Sequence, residues 1–244
     1  MKEEFCRTEL LLGEEGVEKL NNATVAVFGV GGVGGYVVEA LARSGVGKFD
    51  LIDNDVVSES NINRQIIATY STIGRYKVDI MKERILDINP NAEVEVYKCF
   101  YLPENADEFD VAKYTYIVDA IDTVTAKLEL IVRAKKAGVP IISSMGTGNK
   151  LDPSKLQITD IYKTKVCPLA RVMRTELKKR NIGELKVVYS EEQPIKVIKE
   201  DNKQINPENT GRIKDVPGSV AFVPPAAGLL IARAVIMDIK GETK

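Results

Sequence analysis

Short apolar runs alternate with segments of helical periodicity along the first 146 residues. Residues 25–28 form a β-rich apolar run that ends at Gly29, and residues 33–44 then follow a helical spacing. Further strands are predicted over 49–53, 94–100, 116–120 and 139–143, and further helices over 74–88 and 127–137. This alternation predicts an α/β fold: a Rossmann-like, doubly wound, mostly parallel sheet with helices on both faces.

The pattern changes after residue 146. It predicts strands over 156–162 and 187–190, a basic helix over 168–180, a polar loop over 199–217 and a strand-to-helix unit over 218–239. We therefore divide the chain into residues 1–146 and residues 147–244. The second segment is expected to extend the same sheet with an antiparallel and helical portion.

Composition excludes several kinds of chemistry. The 244 residues include no histidine, so there is no Ser-His-Asp triad, Cys-His dyad, imidazole base or His-ligated zinc. Three cysteines without a C-x-x-C pair favour neither a structural zinc site nor a disulfide framework. The N-terminus is charged, and two prolines and an arginine interrupt the longest apolar run, 220–239. We expect a cytoplasmic protein without a membrane segment.

A glycine-rich motif follows the first predicted strand. Residues 29–34 read GVGGVG, which matches G-x-G-x-x-G, and Asp53 follows 19 residues after Gly34 at the end of the next predicted strand. Bare glycines let phosphates approach the backbone, and an acid at this spacing can hold ribose hydroxyls. The motif favours a nucleotide site over a merely tight turn, and taken alone it favours NAD. Its glycines are Gly29, Gly31, Gly32 and Gly34.

The next polar segment changes this interpretation. Asn61, Arg64 and Gln65 belong to the run NINRQ, and Lys77 follows 13 residues after Arg64. Two cations beyond the ribose acid exceed what a dinucleotide reductase needs, but they suit a triphosphate whose departing pyrophosphate gains charge. The alternative is that both cations are solvated surface residues.

Together these motifs resemble the adenylating domain of the ubiquitin-activating enzyme superfamily, whose bacterial members include the ThiF and MoeB sulfur-carrier activators. The resemblance covers roughly residues 5–145 and includes R-x-x-x-L-x-G from Arg7 to Gly13 and VDAID at 118–122. It implies that a carboxylate is adenylated with ATP and Mg²⁺ in the first segment, residues 1–146.

The resemblance also implies a role for each motif residue. Asp53 would bind the ribose and Asp122 would hold Mg²⁺, whereas Asp119 would be structural. Arg7 would reach the triphosphate of the other subunit in a homodimer. The remaining nucleotide contacts would come from the glycines and from Asn61, Arg64, Gln65 and Lys77.

The second segment is similar to the tRNA threonylcarbamoyladenosine dehydratases, through residues 152–164, 167–180, 186–194 and 217–232. This resemblance implies a ligase-type enzyme that adenylates and cyclises threonylcarbamoyladenosine at position 37, in the anticodon stem-loop of tRNA, and releases AMP and pyrophosphate. An activator of a ubiquitin-like sulfur-carrier protein remains the alternative, although the paired C-x-x-C motifs of those activators are absent. A dehydrogenase, a nucleotide-binding scaffold without turnover and an additional sulfur-transfer partner protein also stay open.

Charge in the second segment agrees with a nucleic-acid partner. Residues 150–214 carry 15 Lys and Arg against 9 Asp and Glu, in a chain whose net charge is −1. The candidate phosphate contacts on the predicted basic helix are Arg171, Arg174, Lys178 and Lys179. A solvated helix face is the alternative. Cys167 precedes this helix, and both a chemical role and simple packing stay open for it.

Overall fold

The computed structural model describes residues 3–196 and 217–241. Its sheet has seven strands in the order β3-β2-β1-β4-β5-β7-β6. All neighbours pair in parallel except β6 and β7, which are antiparallel. This topology confirms the predicted fold class. The strands are β1 (Thr24–Phe28), β2 (Lys48–Ile52), β3 (Glu93–Tyr97), β4 (Tyr116–Asp119), β5 (Ile141–Ser144), β6 (Leu156–Asp160) and β7 (Lys186–Ser190).

Helices cover both faces of the sheet. Successive residues of β1 point to opposite faces, and accordingly Val27 belongs to one hydrophobic core while Ala26 and Phe28 belong to the other. Helices α3, α4 and α7 pack in the first core, and α5 and α6 pack in the second. The helices are α1 (Cys6–Leu12), α2 (Glu14–Asn22), α3 (Gly34–Arg43), α4 (Lys77–Ile88), α5 (Val124–Ala137), α6 (Pro168–Lys179) and α7 (Val223–Lys240).

The strand order reverses between β1 and β4. From β1 the chain winds outward to β2 and β3, and from β4 it winds the other way to β5. The connections that leave the carboxyl ends of β1 and β4 therefore diverge and open a crevice above the sheet. In open α/β sheets this crevice is where ligands bind.

Several predicted boundaries differ from the structure. The helix predicted over 74–88 begins at Lys77, because Gly74 has a positive φ and Tyr76 forms an antiparallel bridge with Val56. The strand predicted at the start of 218–239 is wrong: residues 217–222, all described, form no strand, and α7 begins with two prolines in its first turn. Helices α1 and α2 had no predicted counterpart. The predicted loop 199–217 lies outside the described residues except for Pro217.

No helix within the described ranges combines the length and apolarity that a membrane crossing requires.

Candidate active site

A cavity of about 870 Å³ lies at the carboxyl ends of β1, β2 and β4, where the strand order reverses. Its volume is within the range of small-molecule sites. The structure brings nearly all the predicted nucleotide and metal residues to this cavity. Those that line it are Gly29, Gly31, Gly32, Asp53, Asn61, Arg64, Gln65, Lys77 and Asp122.

The glycines of the loop serve two different purposes. A Cβ at Gly34 would lie 1.8 Å from the carbonyl oxygen of Gly29, and a Cβ at Gly29 would lie 2.6 Å from that of Ala120. These two glycines therefore let β1, the loop and α3 pack closely. At Gly31 the nearest atom to such a Cβ is 3.9 Å away, so this position leaves open space beside the backbone. That space suits a phosphate at the start of α3.

Asp53 fixes the turn that follows β2. The Val30 N–H donates to its Oδ2 at 2.7 Å, and the Asp55 N–H donates to its Oδ1 at 2.8 Å. Burial raises the pKa of the Asp53 carboxyl, and the nearby Lys77 ammonium opposes this shift. The carboxylate thus ties the glycine loop to the end of β2 and lines the cavity there.

The two cations of the site are held in different ways. Lys77 is buried at the start of α4, and its Nζ lies 2.6 Å from Oδ2 of Asp55, a residue that sequence analysis missed. Arg64 donates from Nη1 to the Ser60 carbonyl oxygen and to Asn63 Oδ1, each at 2.9 Å. Among the described residues, Arg64 forms no ion pair with a carboxylate. Within the described chain its positive charge is therefore not neutralised by a carboxylate.

Two buried polar atoms of cavity-lining residues have no hydrogen-bond partner within the described chain. They are Gln65 Oε1 and the Tyr101 hydroxyl, in side chains that are 6% and 4% exposed. Buried polar groups in proteins nearly always find a partner, and these two atoms fit a polar ligand, although Asn89 Oδ1, which does not line the cavity, is unpaired there as well. Asn61, by contrast, is occupied: its Oδ1 accepts the Ser58 N–H at 3.2 Å.

The two acids of the VDAID motif have separate environments. Asp119 is fully buried, with the Lys127 ammonium at 3.0 Å and the Ser143 hydroxyl at 2.5 Å. Asp122 is exposed at the cavity, and the one hydrogen bond it accepts from the described residues comes from the Thr123 hydroxyl, at 3.2 Å. Magnesium commonly takes one or two protein carboxylates and completes its shell with phosphates and water. Asp122 fits that role, while no group of three Asp, Glu or Cys suited to a metal occurs in the described chain.

Three further segments line the cavity and were not predicted. Residues 99–102 follow β3, residues 144–148 begin at the last residue of β5, and residues 217–219 precede α7. Gly146 and Gly148 after a predicted strand were an available signal for the second segment. Residues 217–219 begin a stretch that carries the resemblance, but no motif places this segment or residues 99–102 at the cavity, and only the fold brings them there.

The remaining predicted residues lie outside the cavity. Arg7 is exposed on α1. On α6, Arg174 donates to Thr164 and Lys179 pairs with Glu176 at 2.7 Å, whereas Arg171 and Lys178 are exposed and form no ion pair within the described chain. Cys167 is buried at the start of α6, with its Sγ 3.9 Å from the Cβ position of Gly146. Leu169 of α6 reaches the cavity itself.

Known proteins resemble this chain over nearly its whole length. It is 47% identical to tRNA threonylcarbamoyladenosine dehydratase of Bacillus subtilis, over 98% of this chain and 95% of that protein. Crystal structures of E. coli tRNA N6-threonylcarbamoyladenosine dehydratase with ATP and with AMP superpose with TM-scores of 0.84 and 0.85, at 32% identity and over 97% of this chain and 93% of theirs. The ThiF family model matches residues 5–238, and the chain therefore belongs to the ThiF family.

Proposed function

We propose that this protein is an ATP-dependent enzyme that adenylates threonylcarbamoyladenosine at position 37 of tRNA and closes it into a cyclic form. The observation that carries this proposal is Arg64, a cation without an ionic partner in the described chain, beside the open backbone of Gly31 and the buried Lys77. Such a site is prepared for a polyphosphate. The similarity to dehydratases over 98% of the chain supports the choice of acceptor.

ATP binding uses the first segment, residues 1–146. The triphosphate lies along the glycine loop, where backbone N–H groups and the start of α3 favour anions. Asp53 holds the ribose, while Asn61 and Gln65 supply amide groups. The buried Lys77 and the uncompensated Arg64 stabilise the charge that develops when pyrophosphate leaves.

The reaction then has two steps. The acceptor's carboxylate attacks the α-phosphorus of ATP, the bond to pyrophosphate breaks, and a mixed anhydride with AMP forms. The carbamoyl oxygen of the same side chain attacks the activated carbon, AMP leaves, and one N–H proton is lost to solvent as the five-membered ring closes. Because the second attack is intramolecular, proximity can account for much of the rate of this step, at an effective molarity of roughly 10⁵–10⁸ M. The protein orients the acceptor and excludes water.

In this proposal Asp122 holds Mg²⁺. When bound, the ion neutralises phosphate charge, as is usual where one carboxylate and substrate phosphates share it.

Two surfaces outside the cavity complete the proposal. Helix α1 carries Arg7 together with Leu10 and Leu11, which are 85% and 84% exposed. Exposed apolar side chains next to an arginine suit an interface with a second copy, through which Arg7 would reach the partner's triphosphate.

Residues 147–244 would bind the tRNA through α6. A cytoplasmic location stays a prediction.

Mass spectrometry of nucleosides tests the reaction directly. Purified tRNA that contains threonylcarbamoyladenosine is incubated with the protein and ATP, and the nucleosides are then analysed. We expect the modified nucleoside to lose one water in an ATP-dependent manner. A parallel incubation with ATP radiolabelled at the α-phosphate and a ubiquitin-like sulfur-carrier protein tests the alternative. AMP transfer to the carrier, with no change in the tRNA nucleoside, would reject the proposal.

A further inference from the structure

One wall of the cavity is built from two segments that are distant in sequence. Residues 146–148 follow β5 and residues 217–219 precede α7, and both line the cavity. The segments pack tightly, because a Cβ at Gly148 would lie 2.9 Å from Cβ of Pro217. Neither segment belongs to a strand or helix, so regular secondary structure does not fix their separation.

Asn149 joins these segments. Its backbone N–H donates to the Gly218 carbonyl oxygen at 2.8 Å, and its Oδ1 accepts the Gly218 N–H at 2.6 Å. Its own carbonyl oxygen accepts the Ile195 N–H at 2.8 Å. The φ of Asn149 is +58°, a left-handed conformation that asparagine adopts more readily than most residues. One residue therefore makes three hydrogen bonds, two to Gly218 in the cavity wall and one to Ile195.

Asn63 links the same wall to the catalytic cation. Its Nδ2 donates to the Ser219 carbonyl oxygen at 2.9 Å, and its Oδ1 accepts from Arg64 Nη1, also at 2.9 Å. Residues 218 and 219 are thus each held by an asparagine. One of these asparagines lies in the NINRQ run, and the other follows β5.

We propose that Asn149 and Asn63 are positioning residues that hold residues 217–219 in place, so that the acyl adenylate is shielded from water until its ring closes. This inference rests on the proposed function. The reaction that the wall opposes is hydrolysis: a water oxygen bonds to the acyl carbon, AMP leaves, and the original carboxylic acid returns. Each such event consumes one ATP without forming a ring.

The two asparagines can be tested without removing the groups that touch ATP. Asn149→Gly keeps the left-handed backbone but deletes the bond to the Gly218 N–H, whereas Asn149→Asp keeps the acceptor oxygen. Asn63→Ala loses the donor to Ser219 and adds no charge beside Arg64, whose Nη1 keeps the Ser60 carbonyl oxygen. Asn181→Gly is a matched control, because Asn181 also has a positive φ, of 56°, and is exposed after α6.

The measurement is the number of AMP molecules released per cyclic nucleoside formed, together with KM for ATP. A net hydrogen bond contributes about 0.5–1.5 kcal/mol, so we expect the excess of AMP over cyclic nucleoside, divided by the cyclic nucleoside, to rise about twofold to tenfold in Asn149→Gly and Asn63→Ala. KM for ATP should stay within about twofold, since the phosphate contacts remain. Asn149→Asp and Asn181→Gly should behave as the wild type. An unchanged excess in Asn149→Gly and Asn63→Ala, or an equal rise in the Asn181→Gly control, would overturn the positioning role.

Hydrogen exchange separates failure of this inference from failure of the proposed function. If the wild-type protein forms no cyclic nucleoside, the proposed function fails. The effect of Asn149 on the mobility of residues 217–222 can still be measured. Asn149→Gly should accelerate amide exchange in the peptide covering 217–222 and leave that of β1 unchanged. If residues 217–222 exchanged at the wild-type rate in Asn149→Gly, the positioning role of Asn149 would be refuted, whatever reaction the protein catalyses.

Discussion

Arg64 and Lys77 present positive charge to the same cavity under different constraints. Lys77 is buried and forms an ion pair with Asp55. Within the described chain, the guanidinium of Arg64 donates hydrogen bonds only to neutral oxygens. A phosphate that approaches Lys77 competes with a carboxylate, but one that approaches Arg64 does not. Arg64 should therefore contribute the larger differential stabilisation as charge develops.

Replacing Arg64 by alanine should selectively abolish the first chemical step. We expect tRNA-dependent ATP–pyrophosphate exchange to fall by about 10²-fold or more, the scale seen when one charge-stabilising donor is removed. The melting temperature should change little, because this side chain forms no ion pair with the described residues. Arg75→Ala is the control: Arg75 is exposed and pairs with Glu83 outside the cavity lining. Wild-type exchange in Arg64→Ala would remove the assigned role.

Cys99 offers a chemical probe of the cavity. It lines the cavity beyond β3, and burial raises the pKa of its thiol, with a smaller contribution from Glu108. Less thiolate is therefore present at neutral pH than for an exposed cysteine, and alkylation by iodoacetamide should accelerate as pH rises beyond the usual thiol range. We expect ATP to suppress this labelling, measured by peptide mapping, and Cys99→Ser to remove the ATP-sensitive fraction. Labelling of Cys99 that ATP leaves unaffected would place the nucleotide elsewhere.

Sequence reasoning identified the residues of motifs and missed those that only the fold brings in. Asp53, Arg64 and Lys77 stand at spacings that chemistry makes recognisable. Asp55 and Tyr101 do not: the ion pair of Asp55 joins residues 22 positions apart, and the Tyr101 hydroxyl is notable because it is buried without a partner in the part of the chain that the structure describes. Burial and pairing are properties of the folded chain, so one sequence does not reveal them.

At the scale of elements, different glycines between β1 and α3 are expected to matter for stability and for ATP binding. Gly34→Ala would place a Cβ 1.8 Å from the Gly29 carbonyl oxygen, so we expect it to destabilise the protein by about 3 kcal/mol or more. Gly31→Ala meets nothing closer than 3.9 Å and should leave stability nearly unchanged. It should nevertheless weaken ATP binding about tenfold, or 1.4 kcal/mol, because its methyl group occupies phosphate space. Chemical denaturation and calorimetric titration of both variants measure these effects, and equal ATP affinity in Gly31→Ala and wild type would contradict the assignment.

Some cations of helix α6 are free to contact a tRNA phosphate, whereas others are paired with an acid of the same helix. Lys179 is paired with Glu176, but Arg171 and Lys178 form no ion pair within the described chain. We expect Arg171→Ala and Lys178→Ala each to weaken tRNA binding and to reduce the slope of log K against log salt by about 1. Lys179→Ala is the matched control and should change the slope less. Identical slopes in all three variants and the wild type would show that α6 is only a solvated face.

The elements themselves were predictable to different degrees. β1 is a short apolar run followed by the glycine motif and β4 is one followed by the end of the VDAID motif, so their existence could be predicted from the pattern. The strand expected near residue 218 failed for a tertiary reason: Gly218 and Ser219 bond to the side chains of Asn149 and Asn63 instead of to a sheet neighbour. No local pattern encodes those partners.

At the scale of the whole molecule, one sheet carries both halves of the proposed reaction. β1 and β2 end at the cavity, and the antiparallel pair β6–β7 forms the other edge of the sheet, with α6 in the connection between its two strands. Arg7 is the one predicted catalytic residue that this arrangement leaves at a distance from its own cavity, exposed on α1. In a dimer, Arg7 would instead lie at the cavity of the second copy of the chain.

Complementation between two inactive variants tests whether Arg7 acts on the partner's site. Arg7→Ala and Arg64→Ala are each expected to be inactive, since every site lacks one cation. In a mixed dimer, the subunit with Arg7→Ala keeps its own Arg64 and receives Arg7 from its partner, so one site is complete. Random pairing on co-expression makes about half of the dimers mixed, and activity should recover to about a quarter of the wild-type value. If Arg7 served its own subunit, no pairing would complete a site and the mixture would stay inactive. Leu10→Lys with Leu11→Lys should prevent recovery and give a monomer by sedimentation, because charge on α1 would oppose the association that brings Arg7 across.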